Sequence, residues 1–508
     1  MRGSEHNSSS TTNSVRRTLF GGLTITVAAN ILLYLGHLII ARRLSREDYA
    51  VFTVVVSFVS LMALFADLGL TLLFVRKFAE ADAERKRGER ERRGELLGSM
   101  LVLRIGLSIA VSLVVVLITP FLGYTIEVRK LIYIMLLTLF ISSRLMVVRS
   151  VGEAFLRGHN QYHLIALFAA IDAAAFVLAL YLYGGGSLDL EGAVWIYSLC
   201  HIPGFLLLSW FITSHAKETG FRLSFHFGSL KKMVIEGMPL IFSTAFLTIH
   251  NYADALLLDK LSTPLQVSAY GAGLRILSAI VFLPTVFSAV IGPRVTHAIT
   301  RNDPNEIQGV VDKGIRLLIV SALVIALALT TAPTTIISIL FGGDKYGDVR
   351  SLVMVFGWSF VPIAFAAFLT EIAIAEGKLW ISAIYTGVIM IASISTDLFL
   401  IPTYGALGAA IAKCVAVSIG AIVLGTMVRR LAVLQTRKFL LFVSRSAVAI
   451  IVALAMYIIL HRQFLLSEIP SVLLVVISFS LVILITKAVA PREILSIVSS
   501  QTNSRRVL

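Results

Sequence analysis

Ala41-Arg42-Arg43-Leu44-Ser45-Arg46-Glu47-Asp48-Tyr49 returns later in the chain as Leu258-Asp259-Lys260-Leu261-Ser262, leading to Tyr270. The offset is about 217 residues, and other landmarks keep it approximately. Arg157-Gly158 is echoed by Glu376-Gly377, and Leu190-Glu191-Gly192-Ala193 by Ala406-Leu407-Gly408-Ala409. Each copy contains about six apolar segments of spanning length. Six crossings return the chain to its starting side, so the copies share one orientation. They are then related by a pseudo-two-fold axis along the membrane normal, an arrangement typical of two-lobed transporters.

Composition agrees with a polytopic membrane protein. Hydrophobic residues make up 57% and charged residues 14% of the 508 residues, and mean hydropathy is +0.89. A soluble domain needs more polar surface than this. The pattern predicts about fourteen spans, from 18–41 to 469–489. Residues 1–16 read as a disordered cytoplasmic N-terminus, 17–213 as a first lobe, 214–234 as a cytoplasmic linker and 235–427 as a second lobe. Residues 428–490 supply two further spans outside the repeat, and 491–508 a cytoplasmic tail. The apolar segment after residue 16 is too long for a signal-peptide core. Cys200 and Cys414 both fall in apolar spans, where small core residues are the simpler reading than a disulfide or metal ligands.

The net charge of +15 orients the chain rather than binding nucleic acid. With the N-terminus inside, about thirty Lys and Arg fall in cytoplasmic segments and about nine in outer loops. Both termini are then cytoplasmic, and the basic segments lie against anionic lipid headgroups. The outer loops are too short for a catalytic domain, so the chain reads as a transporter and not an enzyme. The run Glu80–Arg93 alternates acids and bases three and four apart, as a solvated surface helix does.

Further stretches resemble a known family. Gly21-Gly22, the 41–49 stretch and Ala66-Asp67-Leu68-Gly69-Leu70 with Arg76 match the opening of Wzx-type oligosaccharide-lipid flippases. So do Gly237-Met238-Pro239-Leu240, Ala253–Leu258, Tyr270–Ile276, Pro333 with Ile339–Gly342 and Tyr346, and Leu400–Ala410. These O-antigen exporters of the MOP superfamily share the MATE-like fold. The resemblance implies an all-α bundle that moves a polyprenyl-(pyro)phosphate-linked oligosaccharide from the inner to the outer leaflet of the cytoplasmic membrane by alternating access. It implies no cofactor and no ATP hydrolysis. Proton or sodium coupling and a polysaccharide polymerase partner are left open. Two departures from the family's pattern stand out: Asp397 where Asn is common, and Leu44-Ser45-Arg46 where Leu-Gly-Pro is.

A charge at mid-bilayer costs about 2.5–3.5 kcal/mol, so cations inside spans serve a pathway or pair with acids. Five such cations occur: Arg104, Arg144, Arg149, Arg275 and Lys413. Arg104, Arg144, Arg275 and Lys413 are candidates to line a cavity holding the anionic (pyro)phosphate, for which a planar guanidinium is well shaped. The alternative is pairing with Asp172, Asp254 or Glu371. Arg149, one turn from Glu153 and near the cytoplasmic interface, is the weakest candidate. His37 and Asp254 occupy equivalent places in the two copies. Asp254, His37, Glu371 and Asp397 are the ion-coupling candidates, Asp254 foremost, with a helix-to-helix hydrogen bond as its other reading. Asp67, two residues before Gly69, suits a helix-ending cap. Prolines 239, 284, 293, 333 and 362 read as kinks. A drug or cation antiporter on the same fold and a lipid II flippase remain as rival readings.

Overall fold

In the computed structural model, described over residues 5–67, 69, 89–145, 147–159, 161–183, 188–219, 227–301, 304–429, 436–463 and 467–486, the regular structure is helical throughout. Most of the expected surface helix at 80–93 and all of the tail at 491–508 lie outside the described residues. Among the described residues, 11 segments are long and apolar enough to cross a bilayer. One of them, Leu379–Val428, has 50 residues. At 1.5 Å per residue that is about 75 Å, more than twice a hydrocarbon core of about 30 Å. Gly405, at φ +56° and ψ −130°, breaks it into two spans. Only glycine reaches that conformation without strain. With Phe227–Leu261 and one interrupted span around residue 140, the number comes to about fourteen.

Two compact units make up the chain, Met1–Asp259 and Lys260–Leu508. The repeat places Phe227–Leu261 at the head of the second copy, yet nearly all of that helix belongs to the first unit.

In the first unit, α1 (Glu5–Arg43) packs along α7 (Tyr162–Tyr183). Gly36 sits on the Phe176 ring so closely that any β-carbon there would clash. Such small residues let membrane helices approach. The backbone of α1 is already helical from Glu5, inside the polar stretch whose composition suggested disorder. Once the apolar span is formed, each added residue needs only one further bond to extend it. After α2 (Arg46–Asp67) and α3 (Glu89–Ile118) comes the expected span 130–152, which is not a continuous helix. It divides into α4 (Ile126–Met135), a single turn α5 (Thr138–Ile141), an irregular stretch, and α6 (Arg149–Gly158). Ser142 is extended at φ −74° and ψ 132°, and its Oγ accepts the Arg144 N–H at 3.0 Å. Serine hydroxyls compete in this way with the helical ladder. The sixth span is also interrupted, at Cys200-His201 between α8 (Leu190–Leu199) and α9 (Ile202–Thr219). Pro203 lies in the first turn of α9, where its missing N–H leaves no helical bond unmade. α10 (Phe227–Leu261) completes this unit.

In the second unit, α14 (Arg350–Ala375) packs against α11 (Pro264–Arg301), α12 (Pro304–Thr331) and α15 (Leu379–Val428). The two spans beyond the repeat, α16 (Thr436–Gln463) and α17 (Glu468–Ile485), pack together and onto α12. Glu468 holds them to α13 (Pro333–Phe341) by accepting the Thr335 N–H at 2.7 Å. That bond satisfies one of the donors orphaned at the start of α13.

Candidate functional site

Irregular backbone at membrane depth survives only where protein or a water-filled cavity surrounds it. The break in the fourth span is such a place, and Arg144 lies in it. Its guanidinium carbon is 4.7 Å from the Tyr197 ring centroid and 5.2 Å from that of Phe176. Those two rings meet edge-on at 81° and form adjoining walls. On a third side, Arg144 Nη1 donates to His37 Nε2 at 3.2 Å. His37 is itself packed against both rings. Cation–π contacts of this kind contribute about 0.5–2 kcal/mol. Arg144 keeps partial exposure, and among the described residues no carboxylate pairs with it. Two residues singled out separately in the sequence, His37 and Arg144, are therefore brought together.

The other two mid-span cations of this unit, Arg104 and Arg149, are ion-paired. Arg104 on α3 is fully buried and bonds to the Asp67 carboxylate and the Ala66 carbonyl. Asp67 also accepts the Gly69 N–H at 3.1 Å, the cap its spacing suggested. Arg149, at the first turn of α6, donates to Asp172 on α7 at 2.5 Å. Its Nε lies 3.3 Å from Glu153, which also reaches Arg157 at 3.7 Å.

Asp172 joins several elements. Besides Arg149, it accepts the Gly204 N–H at the start of α9 at 2.8 Å. His201 Nδ1 lies 3.6 Å from the same carboxylate, and His201 Nε2 lies 3.2 Å from Ser142 Oγ. A polar file therefore runs from His37 and Arg144 through Ser142, His201 and Asp172 to Arg149, Glu153 and Arg157. It bridges both interrupted spans. His201 and Ser142 escaped notice in the sequence. The available signals were Pro203-Gly204, two residues after His201, and the Ser142-Ser143 pair inside an apolar span.

The remaining candidates lie elsewhere. Asp254 and His250 are buried on α10. Arg275 is half-buried on α11, and Glu371 is exposed on α14. Asp397 and Lys413 are buried on the two halves of α15, either side of Gly405, and Ser393 Oγ donates to Asp397 at 3.4 Å.

The model of a family described as polysaccharide biosynthesis protein matches residues 17–299, and the MatE model matches residues 239–399. No curated protein matches by sequence. Among solved structures, the lipid II flippase MurJ in an inward closed conformation superposes with a TM-score of 0.70 at 16% identity, covering 95% of this chain and all of its own. An inward-facing multidrug resistance MATE transporter of the MOP superfamily gives 0.66 at 16% identity, covering 81% of this chain and 98% of its own. A MOP superfamily transporter from Pyrococcus furiosus, described as having a binding pocket of reversed polarity, gives 0.58 at 14% identity, with 82% and 94% covered. At these identities the likeness is one of fold.

Proposed function

Because this chain belongs to the polysaccharide biosynthesis protein family, whose model spans more than half of it, we propose that it flips a polyprenyl-(pyro)phosphate-linked oligosaccharide. The cargo moves from the cytoplasmic to the outer leaflet of the inner membrane, for assembly of a surface polysaccharide such as O-antigen. Both termini lie in the cytoplasm, the side to which the lysine and arginine excess assigns them. The two lobes alternate in access, and no cofactor takes part.

One observation carries the reading: Arg144, at a break in a span, is oriented by two aromatic walls and, among the described residues, has no acid paired with it. A guanidinium held in this way offers paired N–H donors to the oxygens of a diphosphate. The rings exclude water from its faces, which strengthens the attraction. The headgroup is the part of the cargo that most resists crossing hydrocarbon, so a counter-charge there lowers the barrier.

Lipid II is the second reading. Its support is that the MurJ likeness spans 95% of the chain, whereas the MATE likeness spans 81%. Lipid II carries the same prenyl diphosphate, so Arg144 serves either cargo.

Purified protein in liposomes, given a fluorescent prenyl-diphosphate oligosaccharide or fluorescent lipid II, separates the two. Translocation above protein-free vesicles, lost in Arg144→Gln at equal reconstitution, is the expected result. Wild-type rates in Arg144→Gln would refute the role of this arginine. Ion-driven efflux of small cations with no lipid translocation would move the chain to the antiporter class.

A further inference from the structure

The two interrupted spans meet through one hydroxyl group. Ser142 Oγ accepts the Arg144 backbone N–H at 3.0 Å and lies 3.2 Å from His201 Nε2. With the N–H donating to it, the serine has its own O–H to give to Nε2. His201 then accepts at Nε2 and carries its proton on Nδ1, facing Asp172 at 3.6 Å. The ring is 1% exposed, so its tautomer and charge are set by these neighbours.

The charges around His201 come from four elements. The irregular stretch supplies Arg144, α6 supplies Arg149 with Glu153 behind it, and α7 supplies Asp172. His37 of α1 lies across Arg144. From its own span, Tyr197 packs edge-on to the ring, and Cys200 precedes it. Arg149 sits between two carboxylates, and Arg157 shares Glu153. Among the described residues Arg144 is therefore the cation of this group with no acid against it; its backbone N–H shares the Ser142 hydroxyl with His201, and Tyr197 packs against both its guanidinium and the His201 ring. While it is bare, its field opposes a second positive charge nearby. A diphosphate on Arg144 carries more negative charge than the arginine neutralises, so the local field changes sign and a proton on His201 becomes favourable.

We propose that His201 is a proton-binding site linked to the anion at Arg144, so that prenyl diphosphate and proton bind together and leave together. The proton comes from water and adds to Nε2. Nε2–H then donates to Ser142 Oγ in place of the former Ser142 O–H bond to Nε2, the hydroxyl hydrogen turns away, Nδ1–H remains toward Asp172, and no other covalent bond is made or broken. Linkage is reciprocal: low pH tightens the hold on the anion, and the anion tightens the hold on the proton. The inference rests on Arg144 as the anion site, and the experiment keeps the two claims apart.

The test is calorimetric titration of the detergent-solubilised full chain with farnesyl diphosphate, in two buffers of different ionisation heat. Wild type should take up about half a proton or more per ligand beyond His201→Gln at near-neutral pH. That difference removes the diphosphate's own titration, which is common to both proteins. Equal proton counts, with both proteins binding, would overturn the linkage and leave Arg144 as the anion site. His201→Asn carries the same comparison if the glutamine variant does not reach the membrane. Wild type alone supplies a second readout with a prenyl diphosphate diester, whose two negative charges are constant in this range. Its affinity should fall at least about threefold from about pH 6 to about pH 8. A flat profile would refute the linkage. Failure of folded wild type to bind either anion would remove the Arg144 reading and the linkage together.

Discussion

Asp172→Asn tests the junction of the interrupted spans most severely. The wild-type carboxylate is 2% exposed. It accepts from Arg149 at 2.5 Å and from the Gly204 N–H at 2.8 Å, and His201 Nδ1 lies 3.6 Å from it. Every one of these neighbours presents a hydrogen. Asparagine has one oxygen and one NH2 group, so one former acceptor position becomes a donor facing a donor. Arg149 also loses the closer of its two acids and keeps only Glu153, at 3.3 Å. Removing one partner of a buried pair costs about 3–5 kcal/mol. The surviving Glu153 contact reduces this to about 2–4 kcal/mol by leaving the arginine one close ion pair. At about 2–4 °C per kcal/mol, the apparent Tm should fall by roughly 4–16 °C. The assay is thermal unfolding in detergent micelles, followed by the fluorescence of the native tryptophans. The double variant Arg149→Met, Asp172→Leu removes both charges and should recover most of the loss, because apolar packing replaces a buried ion pair at little cost. A Tm within about 1 °C of wild type in Asp172→Asn would refute the network as described.

Arg144→Lys retains the charge but not the planar fork. Translocation should fall at least about tenfold, while the Tm changes by no more than about 2 °C, as expected for a half-exposed site. Gly405→Ala places a β-carbon at φ +56°, with the Gln266 amide oxygen 2.7 Å away. A loss of about 1–3 kcal/mol should appear in unfolding by denaturant. Glu468→Ala frees the Thr335 N–H at the start of α13. A cost of about 1 kcal/mol is expected, read as faster limited proteolysis of the two C-terminal spans.

Sequence periodicity makes apolar length visible and path invisible. The stretch 130–152 reads as one span because its side chains are apolar enough to cross. Its interruption depends on Ser142 Oγ taking the Arg144 N–H in place of a helical bond. Gly405 was legible as part of a turn between spans, yet 379–428 also satisfies a helical pattern on both sides of it. Of the intramembrane cations, Arg149 was correctly set beside Glu153, one turn away on the same helix. The partners of Arg104 and Arg149 across helices, Asp67 and Asp172, are 37 and 23 residues distant. Spacing along a chain carries no information about such pairs.

The repeat, the apolar length of the spans and the distribution of lysine and arginine are properties of residue order, and they determined a two-copy membrane bundle without any coordinates. Which charges are neutralised was decided only by tertiary structure. A guanidinium in hydrocarbon must find an acid, an aromatic face or a ligand, and which of these it meets is set by the helices that pack beside it. Arg104 and Arg149 meet carboxylates. Arg144 meets Phe176, Tyr197 and His37 instead, because α1, α7 and α8 converge on the break in its span.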